Sequence, residues 1–205
     1  MYRILEETVC KYLSVPAFKT KWENDQKQGA GFFYALTYPL IFRFFQEHKP
    51  LSEALELKVA LVFSWNPTIC KMTQDRFEQA KNKLAILERS VQQELNSKRI
   101  SDIEPERVIH ELWPPVKMAT SRRDSNSGVS VTKFLHFTFP DIFPMIDLKT
   151  MSYLGGRTVD LNSYSEFLLT WKDLYGRSRV IFDQISNAMK MPVARVLDVM
   201  IFTPQ

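Results

Sequence analysis

The apolar residues of this chain recur at helical spacing, and this pattern excludes more folds than any other feature of the sequence. From Phe77 to Leu95 the apolar side chains follow one another at intervals of three and four, which is typical of one face of a long amphipathic helix. No segment alternates apolar and polar residues with the β-branched composition of a strand. The sequence therefore predicts an all-α fold, a helical bundle of two packed lobes in one domain spanning residues 1–205.

Cap and turn residues divide this pattern into separate helices. Helices are predicted over residues 1–13, 32–47 with a kink or restart at Pro39, 51–65, 73–95, 105–112, 129–139, 148–154, 163–189 and 192–202. The Trp113-Pro114-Pro115 run is expected to end the helix that Pro105 opens, because an interior proline removes a hydrogen bond and clashes with the preceding turn. The polar segment TSRRDSNSG, residues 120–128, is predicted to be a loop.

Composition limits the compartment and the partners. The net charge of +4 is compatible with a polyanionic partner, although many proteins with other partners share it. Cys10 and Cys70 form no CxxC pair, which indicates a reducing compartment and leaves too few cysteines for a four-cysteine metal site. The most apolar run, residues 32–45, is too short to span a bilayer. We therefore expect a monomer of the cytoplasm, or of the nucleus in a eukaryote, with no cofactor, metal or membrane partner.

The stretch GVSVTKFLHFTFPDIFPMID, residues 128–147, is the least ordinary part of the chain. Residues 129–139 can make about three helical turns. Pro140 and Pro144 then prevent the helix from continuing and force a tight turn. Asp147 follows two apolar residues and precedes a helical run, so it is predicted to cap that helix. A cap stabilises a helix by about 1 kcal/mol, and capping alone is one interpretation of this carboxylate.

This stretch resembles the core of the helix-hairpin-helix DNA glycosylase superfamily, which includes endonuclease III-like and 8-oxoguanine glycosylases. In that family a glycine-rich hairpin, G-V-G-x-K, leads into a helix, and an apolar stretch ends at a catalytic aspartate, often V-D. The matching residues, within a segment spanning residues 107–155, are Gly128-Val129-Ser130-Val131-Thr132-Lys133 and Ile146-Asp147. Three details depart from the pattern: Ser130 replaces the second glycine, the lysine comes one residue late, and Lys133 lies only 14 residues before Asp147.

The resemblance implies a DNA glycosylase that flips a damaged or modified base out of double-stranded DNA and cleaves its N-glycosidic bond. Asp147 would stabilise the positive charge that develops on the sugar. The cysteine cluster of some family members is absent, so no iron–sulfur cluster is implied. The compact chain suits a narrow specialist, such as an enzyme that excises the hypermodified bases of phage DNA. The sequence does not identify the target base.

Two roles stay open for Lys133. In family members that also cut the strand, the hairpin lysine attacks the sugar as an amine and forms a Schiff base, which requires a lowered pKa. In the other role Lys133 contacts phosphate, and Asp147 orients a water nucleophile. The shifted lysine and the short gap to Asp147 favour water, because a misplacement of about 1 Å can cost about 10²-fold in rate.

Further residues are predicted from their positions. Backbone N–H groups of the hairpin and nearby cations are expected to bind DNA phosphates, and these candidates are Gly128, Ser130, Thr132, Arg122, Arg123 and Lys149. His136 is expected to be a hydrogen-bonded core histidine, and Arg195 with Asp198 to be a structural pair three residues apart on a helix. The aromatic candidates for stacking on a flipped base, each more often a core residue, are Phe32, Phe33, Tyr153 and Trp171.

Two other functions remain as alternatives. The chain could be a helix-hairpin-helix DNA-binding module without catalysis, or a helical protein-interaction domain. Only catalysis requires a carboxylate at position 147, since other residues also cap helices. An interaction domain would instead expose an apolar patch, for which residues 32–45 are the candidate segment.

Overall fold

The all-α expectation is confirmed. The computed structural model describes residues 2–27, 29–64, 73–121 and 128–202, with the side chains of residues 2 and 29–35 left aside, and these ranges contain helices and no strand. The helices are α1 Tyr2–Cys10, α2 Val15–Gln26, α3 Gly29–Glu47, α4 Leu55–Ser64, α5 Gln74–Leu87, α6 Gln93–Leu95, α7 Pro105–Thr120, α8 Val129–Thr138, α9 Leu148–Tyr153, α10 Leu161–Met189 and α11 Val193–Ile201. A π-helical segment joins α5 to α6, and a short 3-10 turn precedes α7.

Two aspartates begin helices as their sequence context predicts. Asp147 has extended backbone angles, and its Oδ1 accepts a hydrogen bond from the Thr150 N–H at 2.6 Å. Asp160 accepts from the Ser163 N–H at 2.9 Å, while the Ser163 hydroxyl accepts from the Asp160 N–H at 3.0 Å. These bonds satisfy N–H groups that have no partner within a helix. Gly155, with φ of 87°, follows the end of α9, where the left-handed conformation suits glycine.

The prediction that the Trp-Pro-Pro run ends a helix was wrong. Helix α7 continues through Pro114 and Pro115 to Thr120. Each interior proline costs about 3 kcal/mol or more. The helix persists because it is held by its neighbours: Trp113, Pro115 and Val116 are buried, and α7 packs against α5, α8 and α10. Tertiary burial therefore outweighs the local preference for a break.

Three other boundaries differ from the sequence pattern. Helix α2 was not predicted; the Ser14 hydroxyl caps it by accepting from the Ala17 N–H at 3.3 Å, and Pro16 lies in its first turn. Helix α3 begins at Gly29 rather than at residue 32, and Pro39 lies inside it. Helix α4 begins only at Leu55, because residues 51–54 form a turn.

The helices contact one another in two sets. Helices α1, α2, α10 and α11 pack together, and the helices from α3 to α8 pack together. The two sets are joined where α2 contacts α3 and where α10 contacts α7. Buried aromatic side chains from both sets belong to one continuous core, and they include Phe18, Phe45, Phe134, Tyr164, Trp171 and Phe182. Helices α2, α8, α9 and α11 converge on a pocket. Among the described residues, no helix combines the length and the apolar composition that a membrane span requires.

Candidate functional site

The two predicted catalytic residues line one pocket. Lys133 enters it from α8 and Asp147 from the start of α9, while Trp22 of α2 and two charged residues of α11, Arg195 and Asp198, line the rest. The cavity has a volume of about 80 Å³. A water molecule needs roughly 15 Å³ by this measure, so several waters fit beside Lys133 and Asp147. The pocket thus has room for a small reacting group at its charged residues.

Thr132 holds the segment that carries Asp147. Its side chain is fully buried. The hydroxyl oxygen lies 3.1 Å from the Ile146 carbonyl oxygen and accepts from the Ile146 N–H at 3.2 Å. Because Thr132 directly precedes Lys133 and Ile146 directly precedes Asp147, this contact brings the lysine and the carboxylate to the same place. Thr132 is therefore a positioning residue.

Burial changes the acid–base properties of Lys133. It lowers the pKa of the Lys133 amine to about 8, although the nearby Asp147 carboxylate acts in the opposite direction. At pH 7.5 roughly a quarter of the Lys133 side chains are then neutral, compared with about 0.1% for an ordinary lysine. A neutral amine has the lone pair that a nucleophile requires.

The predicted phosphate contacts of the hairpin need correction. The Gly128 N–H donates to the Val159 carbonyl oxygen at 2.5 Å, and the Thr132 N–H donates to the Gly128 carbonyl oxygen at 3.0 Å. Both N–H groups are already used inside the protein, so they are not available to a phosphate. The Ser130 side chain is also buried and donates to the Thr120 carbonyl oxygen at 2.8 Å.

The predicted cations differ in what the structure describes of them. Lys149 is exposed on α9, two residues after Asp147. Arg122 and Arg123 lie outside the described residues. Of the predicted DNA-binding residues that are described, Lys149 is therefore the one with an exposed charged side chain.

Arg195 and Asp198 form the pair that their spacing predicts. Arg195 Nη1 lies 3.9 Å from Asp198 Oδ2, which is an ion-pair distance but too long for a hydrogen bond. The Arg195 guanidinium also lies over the Tyr38 ring, with its Cζ 4.5 Å from the ring centroid. Asp198 Oδ1 accepts from the Met145 N–H at 2.8 Å, and burial raises the pKa of Asp198 well above its usual range. Both residues line the pocket.

His136 is a core histidine, as predicted. It is fully buried, with Nδ1 2.8 Å from the Phe143 carbonyl oxygen and Nε2 2.8 Å from the Tyr38 hydroxyl. A carbonyl oxygen only accepts, so Nδ1 carries a proton. Burial lowers the pKa of His136 to about 3, which keeps the ring neutral and makes the Tyr38 hydroxyl the donor to Nε2.

Of the aromatic candidates for base stacking, the two whose side chains are described do not line the pocket. Trp171 is in the core, with its ring centroid 4.9 Å from that of Phe182. The hydroxyl oxygen of Tyr153 lies 3.2 Å from that of Thr8. The side chains of residues 32 and 33 are outside the described part. Trp22 lines the pocket but was missed with the helix that carries it. The signals that could have found that helix are the Ser14 cap and Pro16.

Comparisons with known proteins add no family to this description. No protein-family model matches the chain, and searches of curated proteins and of solved structures gave no match. Within the described ranges, no group of three or more His, Cys, Asp or Glu side chains could hold a metal ion.

Proposed function

We propose that this protein is a helix-hairpin-helix DNA glycosylase that flips a damaged or modified base and cleaves its N-glycosidic bond. The observation that carries the proposal is that Lys133 and Asp147 share one pocket in which burial lowers the pKa of the lysine to about 8. Perturbed pKa values beside an opposite charge in a cleft are typical of catalytic groups. The net charge of +4 and the exposed Lys149 suit a DNA partner.

The neutral Lys133 amine is the proposed nucleophile. It attacks C1′ of the flipped nucleotide, the bond from C1′ to the base breaks, and the electron pair of that bond leaves with the base, which takes up a proton. The lysine nitrogen then loses one proton to solvent and the other to O4′ as the C1′–O4′ bond breaks with its electron pair on O4′, which opens the sugar ring and leaves an imine between Nζ and C1′. The Asp147 carboxylate stabilises the positive charge that develops on the sugar before the new bond is complete.

The choice of nucleophile depends on the environment of Lys133. The sequence pattern favours water, because the lysine is shifted by one residue relative to the family. The lowered pKa of Lys133 and its place beside Asp147 favour the amine. The two mechanisms leave different products: an amine gives a covalent imine, whereas water gives an abasic site with no protein attached.

Borohydride trapping tests this mechanism. The protein would be incubated with damaged, modified and phage genomic DNAs, and with a duplex that contains an abasic site, and assayed for released base and for a reduced protein–DNA adduct. We expect both products from the unchanged protein and no adduct from Lys133→Gln. Lys19→Gln, which alters an exposed lysine that does not line the pocket, is the matched control and should keep the adduct.

Two outcomes would contradict the proposal. An adduct of undiminished yield in Lys133→Gln would remove the nucleophile from this lysine. A failure to release any base from the whole panel, together with no adduct on the abasic duplex, would reject glycosylase function.

The alternative functions explain less of the site. A DNA-binding module without catalysis gives no reason for a lysine of lowered pKa beside a carboxylate. An interaction domain would expose a broad apolar patch on residues 32–45. Of the described side chains in that segment, Leu36 and Leu40 are the strongly exposed leucines, at 57% and 69%, one turn apart.

A further inference from the structure

The pocket of Lys133 and Asp147 contains an aromatic side chain that the proposed chemistry does not use. Trp22 lies on α2, is half-buried, and lines the same pocket as the lysine and the carboxylate. Phe202 is the other aromatic residue among the described residues of the pocket wall. The apolar side chains of the wall are Met145, Ile146, Val199 and Ile201. An aromatic and apolar wall with a few charged groups is typical of sites that bind flat organic ligands.

Arg195 holds the Trp22 ring in a fixed orientation. The guanidinium carbon Cζ of Arg195 lies over the Trp22 ring, 5.7 Å from its centroid, and 4.5 Å from the centroid of the Tyr38 ring. A guanidinium over an aromatic face is attracted by the π electrons of the ring. Arg195 therefore covers part of one face of the indole, while Trp22 keeps accessible surface that lines the pocket.

The helix that carries Trp22 is also held in place. Lys21, the preceding residue, donates to the Asp25 carboxylate at 2.8 Å and to the Phe202 carbonyl oxygen at 3.0 Å. The side chains of Lys21 and Asp25 are largely buried. These bonds tie α2 to the residue that follows α11, the helix that carries Arg195. A ring that packs against Trp22 therefore meets a preorganised surface, and binding does not have to order the indole first.

A preorganised indole is a stacking surface for a nucleobase. Every natural base has a flat π face, and one aromatic side chain against that face strengthens binding roughly 5- to 150-fold, whichever base it is. Stacking of this kind requires a planar base. A pyrimidine whose C5–C6 double bond is saturated has tetrahedral carbons at both positions, so its ring puckers and hydrogen atoms project from its faces. In-plane substituents on an aromatic base, in contrast, leave the π face free.

We propose that Trp22 is the surface on which the flipped base stacks, so that the pocket takes planar aromatic bases and discriminates against ring-saturated pyrimidines. The base lies against the indole, and its sugar lies beside Asp147 and Lys133, which line the same pocket. The inference rests on the proposed function and adds to it the class of base that is released.

Nuclear magnetic resonance of the tryptophan Nε1–H groups tests base stacking directly. The Trp22 signal, identified by its absence in Trp22→Phe, would be followed during titration with 9-methyladenine, 1-methyluracil and 1-methyl-5,6-dihydrouracil. The last two probes share their hydrogen-bonding groups and differ in the planarity of the ring. We expect a saturable upfield shift, caused by the ring current of a stacked base, with at least one of the aromatic probes. A saturable shift with the dihydrouracil, or none with either aromatic probe, would overturn the inference.

Two substitutions separate stacking from general apolar contact. Trp22→Phe keeps an aromatic ring, whereas Trp22→Leu keeps apolar bulk without a π face. On the duplex from which the unchanged protein releases a base, the rate at subsaturating DNA should stay within about threefold in Trp22→Phe and fall roughly 10-fold or more in Trp22→Leu. Phe77→Leu, which removes a half-buried ring of α5 outside the pocket, is the matched control and should keep the rate. Equal rates in Trp22→Leu and the unchanged protein would reject the stacking role.

A duplex with an abasic site distinguishes stacking from a structural role of Trp22. It presents no base, so the borohydride adduct through Lys133 should form equally in the unchanged protein and in Trp22→Leu. An adduct reduced as strongly as base release would show that Trp22 only supports the fold of the site, and would overturn the inference. An intact adduct without a base-dependent Trp22 signal rejects the stacking surface and leaves the glycosylase proposal standing. A base-dependent Trp22 signal without any adduct or base release rejects the proposed chemistry.

Discussion

At the scale of single residues, one substitution separates the helix cap that Asp147 forms from the catalytic role that we propose for it. Its Oδ1 caps α9, and asparagine caps a helix about as well as aspartate. Asp147→Asn should therefore keep the melting temperature nearly unchanged. The rate of base release should fall about 100- to 1000-fold, because the positive charge on the sugar in the transition state would lose the carboxylate that stabilises it. Base release and thermal unfolding measure the two effects independently.

Asp160 supplies the matched control for Asp147. It caps α10 through the Ser163 N–H and does not belong to the pocket. Asp160→Asn should leave both stability and base release close to those of the unchanged protein. Full activity in Asp147→Asn, or an equal loss in both variants, would return Asp147 to a capping role alone.

Lys58 makes a residue-scale prediction about stability. It is fully buried, its Nζ donates to the Pro50 carbonyl oxygen at 2.5 Å, and burial lowers its pKa to about 8. The folded protein therefore binds fewer protons than the unfolded chain between pH 8 and the ordinary lysine pKa of 10.5. Stability from this group is fully present above pH 10.5 and is lost as the pH falls through 8.

Replacing Lys58 by methionine, which has no amine, should remove this dependence of stability on pH. Relative to Lys58→Met, the unfolding free energy of the unchanged protein should rise by about 3 kcal/mol between pH 7.5 and 10.5. Urea unfolding at a series of pH values measures the difference, and groups common to both proteins cancel. Lys149→Met, at an exposed lysine, should show no such change. A pH-independent difference for Lys58→Met would mean that Lys58 titrates normally in the folded state.

At the scale of elements, the sequence predicts what local chemistry determines. The caps at Asp147 and Asp160 were predictable because an N-cap acts within one turn of its own helix. Helix α7 was not, because the burial that carries it past Pro115 comes from other helices. Helix α2 has a weak apolar pattern, and only Ser14 and Pro16 indicate where it begins.

In the candidate site, too, the sequence predicts what depends on nearby residues and not what depends on packing between distant helices. Lys133 and Asp147 could be brought together from the motif around them, because a short helix and a proline-bounded turn connect the two residues. The spacing of Arg195 and Asp198 predicts that they are neighbours but not that they face a pocket. That placement depends on the packing of α11 against α2 and on a hydrogen bond to Met145, 53 residues away.

The junction of α7 and α8 gives an element-scale prediction. A Cβ on Gly128 would lie 2.3 Å from the Trp113 ring and 2.8 Å from the Val159 carbonyl oxygen. Gly128→Ala should therefore destabilise the fold by about 1–3 kcal/mol through overpacking. Gly176→Ala is the control, because nothing lies within 4 Å of its added Cβ and α10 should gain about 0.5–1 kcal/mol. Equal effects of the two substitutions in chemical unfolding would contradict the close packing at Gly128.

At the scale of the whole molecule, the pocket joins distant parts of the chain. Lys21 of α2 donates to Asp25 at 2.8 Å and to the carbonyl oxygen of Phe202 at 3.0 Å. These contacts tie the second helix to the residue that follows the last one, beside the pocket that both help to line. Lys133 and Asp147 enter the same pocket from the middle of the sequence. Loosening the packing of α2 against α11 should therefore affect the site even though neither helix carries Lys133 or Asp147.

The charge of the molecule leads to a prediction about DNA binding as a whole. Affinity should fall as salt concentration rises, because each phosphate contact releases counterions. The double substitution of Arg122 and Arg123 by alanine should reduce the slope of log K against log salt by up to about 1.8, the value for two lost contacts. The control is the double substitution of Arg3 and Arg43 by alanine, which changes the net charge by the same amount. Both are exposed residues, and they form ion pairs with Glu7 and Glu47, respectively. Binding of one duplex measured at several salt concentrations gives all three slopes. If the two double variants change the slope equally, general charge rather than a phosphate contact at 122 and 123 attracts the DNA.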